Sequence, residues 1–177
     1  VEFIVNPSRL NGTVVIPGSK SHTIRALTFA LLGSGESIIE EPLDSADTRS
    51  CRSMIEKFGA RVEVSEGRWK VTGVGGAMAA PNDVIDVGNS GTSLYIGLGT
   101  ASLVEGYTVF TGDHQIRSRP ADGLIGSIND LGGKAFSSRG NGMPPIVIGG
   151  KIAGGETSVN AVTSQYLTSL LIAAPCA

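Results

Sequence analysis

Lys20 and Arg25 fall within Gly18-Ser19-Lys20-Ser21-His22-Thr23-Ile24-Arg25, directly ahead of the apolar stretch over residues 26–32. The pattern reads as the start of a helix. A helix N-terminus carries unsatisfied N–H groups and the positive end of the helix dipole, so it is a seat for phosphate or carboxylate. Lys20 sits just before the helix and Arg25 lies four residues beyond Ser21 on the same face, so a point charge and a planar fork can grip one anion between them. An ordinary serine cap with solvated basic side chains is the other reading, and this segment alone leaves both open. Gly88-Asn89-Ser90-Gly91-Thr92 and Val162-Thr163-Ser164-Gln165 open two further apolar stretches in the same way. If the units pack about a pseudo-threefold axis, three such N-termini converge on one spot.

A second basic cluster is Gly112-Asp113-His114-Gln115-Ile116-Arg117-Ser118-Arg119-Pro120, in a loop between a strand and a helix. Two arginines there suggest a further anion contact, although one of them could simply pair with Asp113 or Asp122. His22 and His114 have no His/Cys/Asp spacing around them that would make a metal site, and neither is given a role. Asp44-Ser45-Ala46-Asp47-Thr48-Arg49 reads as a helix start with its cap rather than a carboxylate pair, with Asp47 able to orient Lys20 across a cleft. Gly73-Val74-Gly75-Gly76 reads as a turn after a strand with no helix behind it, which makes a nucleotide loop a weak reading.

Composition narrows the classes. Of 177 residues 25 are glycine, about twice the usual share, yet Pro is only 8 and the hydrophobic fraction is 41%, which excludes disorder and collagen. With Lys+Arg 14 against Asp+Glu 16 the chain lacks the positive field that non-specific nucleic-acid binding needs, so any anion must be held locally. The apolar stretches are far shorter than the roughly 20 residues of a bilayer span, and residues 1–5 read as a strand-like start without a signal peptide's basic region. Cys51 and Cys176 form no framework, as expected of reduced thiols in a cytosolic protein.

The elements that must position these residues come from a repeat. Aligned on Ser21, Thr92 and Ser164, the helix starts are 71 and 72 residues apart; Gly35-Glu36-Ser37-Ile38-Ile39 matches Gly106-Tyr107-Thr108-Val109-Phe110, and Lys57-Phe58-Gly59-Ala60-Arg61 matches Asp130-Leu131-Gly132-Gly133-Lys134. Each unit predicts a helix that stops at a left-handed glycine cap (Gly33, Gly106), a short strand (37–39, 108–110), a second helix (47–58, 121–131) ending at Gly59 or Gly132, and two strands (61–64 with 69–72, 135–137 with 145–148). Helices alternating with short strands predict mixed α/β layers, and Gly97, Gly99, Ala101 and Ser102 predict that one helix per unit is closely packed.

Pro17-Gly18-Ser19-Lys20-Ser21 with Arg25-Ala26-Leu27, then Gly88-Asn89-Ser90-Gly91-Thr92, then Arg119-Pro120, then Ser164-Gln165, in this order and spacing, resemble the 5-enolpyruvylshikimate-3-phosphate (EPSP) synthase family over nearly the whole chain. The resemblance implies an α+β fold of repeated βαβαββ units with buried parallel helices, one lobe of a two-lobed enolpyruvyl transferase. It implies transfer of the enolpyruvyl group of phosphoenolpyruvate to the 5-hydroxyl of shikimate 3-phosphate, with release of phosphate, in the shikimate pathway to chorismate and the aromatic amino acids. The family works without metal or cofactor, in the cytoplasm, with no nucleic acid or membrane partner. Residue by residue, Lys20 would touch both substrates and act in catalysis; Ser21 and Arg25 would hold the shikimate ring substituents; Thr163 and Ser164 would hold the 3-phosphate. Gly91 would back the phosphoenolpyruvate pocket, where a side chain would crowd the inhibitor glyphosate; Arg119 would clamp phosphoenolpyruvate; Gln165 would lie near the reacting centre.

Departures from the family pattern are Thr163, where Ser is usual, and the His22-Thr23-Ile24 filler. The family chain is also more than twice as long. The expectation is therefore a single incomplete lobe over residues 1–177, with units at about 14–85 and 86–157, a truncated third from about 158, and no second lobe. That lobe would supply the proton-transfer carboxylates, so the chain alone is expected to bind substrate without useful turnover. The complete protein would be monomeric, or a complementing second-lobe chain would supply the rest. The related UDP-N-acetylglucosamine enolpyruvyl transferases carry Asn after the lysine of the first motif and a catalytic Cys in the loop where this chain has residues 114–119, which counts against them. A non-catalytic anion-binding module with the same repeat is the reading from another class.

Overall fold

The computed structural model describes residues 2–160 and 162–177. Ser19 caps α1 (Lys20–Leu32) by accepting from the His22 N–H, and Ile24, Leu27 and Leu31, which recur at helical spacing, are fully buried. β1 (Ser34–Glu40) leads to α2 (Ala46–Lys57), where Ser45 and Thr48 satisfy each other's backbone N–H in a reciprocal capping box. β2 (Arg61–Ser65) and β3 (Arg68–Val74) complete an antiparallel sheet in the order β1-β3-β2. The pattern then recurs as β4 (Ile85–Asp86), α3 (Gly91–Ala101), β5 (Tyr107–Thr111), α4 (Asp122–Asp130), β6 (Lys134–Ser137) and β7 (Ile146–Gly149). The second sheet runs β4-β5-β7-β6, with β4 parallel to β5 across α3 and the other pairs antiparallel. α5 (Ser164–Ala173) and a 3-10 turn at Ala174–Cys176 follow. The architecture is α+β, in mixed layers of helix and sheet.

α2 and α4 end alike. Gly59 and Gly132 take positive φ of 108° and 90°, and the bonds Gly59 N–H to Glu56 O with Ala60 N–H to Ile55 O recur as Gly132 to Asn129 with Gly133 to Ile128. This is the Schellman ending that a glycine just past the helix permits. α3 lies at the centre, with every residue from Thr92 to Ala101 buried. Gly99 is required there: a methyl group on it would overlap Ser169 Oγ and stand 2.8 Å from the Ser169 carbonyl oxygen.

Several local expectations differ from what is found. The helices begin earlier than the alignment on Ser21, Thr92 and Ser164 implies, by two residues at caps Ser19 and Ser90 and by one at Thr163, so Lys20 is the first residue of α1 rather than a residue ahead of it. Gly33 caps α1 in extended backbone (φ −71°), because the chain passes straight into β1 without the reversal a left-handed cap makes. α3 stops at Ala101 with Ser102 as its cap, whose hydroxyl donates to the Gly99 carbonyl, and the left-handed Gly106 instead precedes β5. Gly73 and Val74 are the end of β3, not a turn, and a methyl on Gly73 would run into the Ala30 and Gly33 carbonyls at the end of α1. The short strand β4 is an addition to the elements read from sequence. Of the strand-like start at residues 1–5, Val1 lies outside the described residues. Residues 2–18 have no strand partner and hold no ladder, and they expose Phe3, Ile4, Val5, Leu10, Val14, Val15 and Ile16. No described helix is long and apolar enough to cross a membrane.

Candidate anion site at three helix N-termini

α1, α3 and α5 run side by side in the same direction. The Gln165 side-chain amide, on the second residue of α5, donates to Thr92 Oγ1, on the second residue of α3, at 3.1 Å. Deeper in, Ser169 Oγ donates to the Tyr95 carbonyl at 2.6 Å and accepts from the Gly99 N–H at 3.1 Å. Arg25 on α1 donates to Thr168 Oγ1 on α5 at 3.4 Å. Matching positions along each helix meet, so the three N-termini open at one end of the bundle.

None of the three has an acidic residue in its first turn, whereas α2 and α4 carry Asp47 and Asp122 in theirs. An acid there would offset the helix dipole from within the chain. Its absence at three adjacent ends leaves the positive potential for an outside anion.

The basic side chains are distributed around these ends. Lys20 Nζ lies 2.6 Å from Asp47 Oδ2, the orientation across helices expected of Asp47, and the Asp47 carbonyl accepts from Ser93 Oγ, tying α2 to the start of α3. Arg25 gives one guanidinium nitrogen to the Ser21 carbonyl at 3.0 Å and the other to Thr168, so its fork is held between α1 and α5. Arg119 lies across the first residue of α3: a methyl on Gly91 would stand 3.1 Å from its Nη1 and 3.3 Å from its Cζ. Arg119 has no ion pair among the described residues, and the pairing with Asp113 or Asp122 is not made by either arginine of the loop. Asp113 instead accepts from the Gln115 and Ile116 N–H groups, closing the turn, and Arg117 turns back to the Gly112 carbonyl.

Thr163 Oγ1 is occupied as the α5 cap, accepting from the Gln165 N–H at 3.3 Å. Ser21 and Ser164 are exposed, and among the described residues their hydroxyls make no hydrogen bond, which leaves them available at the rim. Lys20, Ser21, Arg25, Gly91, Arg119, Thr163, Ser164 and Gln165 thus sit on or against these three helix ends. Sequence reasoning used Thr92 to align the repeat and gave Ser93 and Thr168 no part; they are ordinary helix hydroxyls by type, and their partners lie 46 to 143 residues away in the chain. Beneath the site, Tyr95 and Tyr166 pack edge to face with ring centroids 4.9 Å apart. Burial raises both phenols above their ordinary values; Arg119 pulls Tyr95 back down, while Tyr95 pushes Tyr166 further up.

A family model for EPSP synthase (3-phosphoshikimate 1-carboxyvinyltransferase) matches residues 4–177. Among curated relatives, the 3-phosphoshikimate 1-carboxyvinyltransferase of Acetivibrio thermocellus is 52% identical over 171 residues, covering 97% of this chain and 40% of the relative. That of Methanothermobacter thermautotrophicus is 47% identical over 167 residues, covering 94% and 40%. The solved EPSP synthase from Acinetobacter baumannii superposes with a TM-score of 0.85 at 25% identity, covering 92% of this chain and 38% of that one. The chain therefore spans about two fifths of the length of the relatives it matches.

Proposed function

Since the chain belongs to the EPSP synthase family, we propose that it forms the shikimate-3-phosphate side of a site at which the enolpyruvyl group of phosphoenolpyruvate passes to the 5-hydroxyl of shikimate 3-phosphate, with release of phosphate. The observation that carries this reading is the set of three adjacent helix N-termini without a first-turn acid, flanked by Lys20, Arg25 and Arg119. Thr163, Ser164 and the end of α5 take the 3-phosphate; Ser21 and Arg25 take the ring substituents. Arg119, over Gly91, meets phosphoenolpyruvate or glyphosate, and Gln165, held by Thr92, faces the reacting centre. Lys20 stands between both substrates, positioned by Asp47. Fixed donors of this kind stabilise charge that develops on phosphate and carboxylate oxygens.

Asp47, the carboxylate seated among these groups, is paired with Lys20, and its role in this reading is to position that lysine rather than to move protons. Residues 14–85 and 86–157 are the first two repeat units and the residues from about 158 open a third. The setting proposed is a cytoplasmic, monomeric enzyme of aromatic amino acid biosynthesis, acting on small molecules rather than nucleic acid.

The test is a titration of the isotopically labelled chain with shikimate 3-phosphate, followed by NMR. Shifts confined to the first turns of α1, α3 and α5, with a much weaker response to inorganic phosphate, are expected. A folded chain that does not respond would overturn the reading, and equal responses to both anions would make this a generic anion-binding module.

A further inference from the structure

Tyr95, the fifth residue of α3, and Tyr166, the third of α5, are 4% and 1% exposed. Buried phenol hydroxyls need acceptors. Both donate to one atom, the Pro120 carbonyl oxygen, at 2.9 Å and 2.7 Å. A carbonyl can accept two such bonds, one per lone pair. This carbonyl belongs to the residue directly after Arg119. The backbone on either side is held as well: the Arg119 N–H donates to Ile116 O at 3.0 Å and the Ala121 N–H to Gly142 O at 2.8 Å.

The Arg119 backbone is thus fixed before and after its Cα, while its guanidinium rests over Gly91, at the start of the helix that carries Tyr95. The two phenols join three separate parts of the anion site: the start of α3, the Arg119 loop and the start of α5. Hydrophobic packing alone would need only the rings, since phenylalanine fills nearly the same volume. The convergence of both hydroxyls on one loop carbonyl concerns where the loop sits.

We propose that Tyr95 and Tyr166 are positioning residues for Arg119, fixing the place at which its cation meets the phosphoenolpyruvate anion. This rests on the function proposed above. Without the two donors the Pro120–Ala121 peptide is held only through the Ala121 N–H bond to Gly142 O, and the loosened loop lets the guanidinium leave its seat over Gly91, whereas Ser21, Arg25, Thr163 and Ser164 keep their places on α1 and at the start of α5.

The experiment compares the chain with its Tyr95→Phe/Tyr166→Phe form by two readouts. One needs no ligand: the Arg119 Nε–Hε resonance, assigned by its disappearance in Arg119→Lys. The other is the affinity for phosphoenolpyruvate, measured with shikimate 3-phosphate present, beside the affinity for shikimate 3-phosphate itself. Expected are an Arg119 resonance that moves to the position of a free arginine, a loss of about tenfold for phosphoenolpyruvate, comparable to one hydrogen bond, and an unchanged affinity for shikimate 3-phosphate. An Arg119 resonance and phosphoenolpyruvate affinity that stay put would overturn the proposal, as would a parallel loss for both ligands that follows a lowered melting temperature. If the unaltered chain binds neither ligand, it is the proposed function that fails, and the Arg119 resonance still decides the positioning role. Should the double variant not fold, Tyr166→Phe alone, which keeps the ring and the Tyr95 donor, is judged by the same readouts with a smaller change.

Discussion

Residues 20–83 and residues 86–157 follow nearly the same order of elements but are held together differently. Every ion pair among the described residues lies in the first region: Lys20–Asp47, Arg49–Asp44, Lys57–Asp83, Arg61–Glu63, and Lys70 with both Glu36 and Glu63. The second region has none, and its first helix, α3, is buried along almost its whole length, with Gly97 and Gly99 giving room to Met54, Phe110 and Ser169. The corresponding helix α1 keeps Lys20, Ser21 and His22 exposed. One repeat has divided its labour: α1 brings charge to the site, and α3 brings hydroxyls, a bare Gly91 and a rigid floor. An anion site needs both, since cations bind only where something fixes them.

This contrast can be broken most forcefully at Lys20. Lys20→Met should weaken shikimate 3-phosphate binding by on the order of tenfold to a hundredfold, because hydrogen bonds to charged groups are worth about 1.5–3 kcal/mol. Isothermal titration would measure it, and a near-normal affinity would remove Lys20 from the site. Gly91→Ala on the α3 side should leave shikimate 3-phosphate binding intact and weaken phosphoenolpyruvate, because the new methyl displaces the Arg119 guanidinium by only a few tenths of an ångström. Equal effects on both ligands would mean the two helices do not serve different substrates.

The packing half of the comparison is sharpened at Gly99. Gly99→Ala should destabilise the fold by about 1–3 kcal/mol in urea unfolding, the usual cost of overpacking, since the Ser169 backbone has nowhere to go. Ala26→Gly, at the half-buried position of α1 that corresponds to Gly97, should cost only about 1 kcal/mol of helix propensity. Cys51 reports on the α1–α2 packing in both variants. Its buried thiol is pushed up to about 12 by desolvation, so in the folded chain a thiol reagent should modify exposed Cys176 and leave Cys51 until that layer opens.

The smallest effect is on acid stability. Arg49 holds the Asp44 carboxyl, and Lys57 the Asp83 carboxyl, below the ordinary value of 3.8. A carboxyl lowered on folding stabilises fully above its unfolded value and loses that contribution as pH falls through its folded one. Below about pH 4, hydrogen exchange should therefore speed up at Asp44 and Asp83 before it does in residues 86–157. Glu56, raised by burial, opposes this slightly by favouring its protonated form. Uniform loosening of both regions would mean that the ion pairs contribute nothing measurable, as is common for exposed pairs.

Much of this organisation is legible without coordinates. The period of about 70 residues, the Gly59 and Gly132 endings and the burial of Ile24, Leu27 and Leu31 follow from local rules: a capping residue, a left-handed glycine and a 3.6-residue apolar rhythm each act over a few positions. The two-residue error in the helix starts has the same origin. Ser19, Ser21, Ser90 and Thr92 are all competent caps, and only the backbone shows which hydroxyl accepts the amide proton.

What sequence determined by itself is the inventory: which helices begin with hydroxyls, which segments carry the few cations, and where small residues permit close approach. What tertiary structure alone decided is the pairing. Gln165 with Thr92, Arg25 with Thr168, Arg119 over Gly91, and two tyrosines on the Pro120 carbonyl join residues that mostly lie 46 to 143 positions apart. Local propensity fades within a turn or two of helix. Such contacts form only when burial of the shared core brings separate elements to one place, and this core makes three helix ends neighbours.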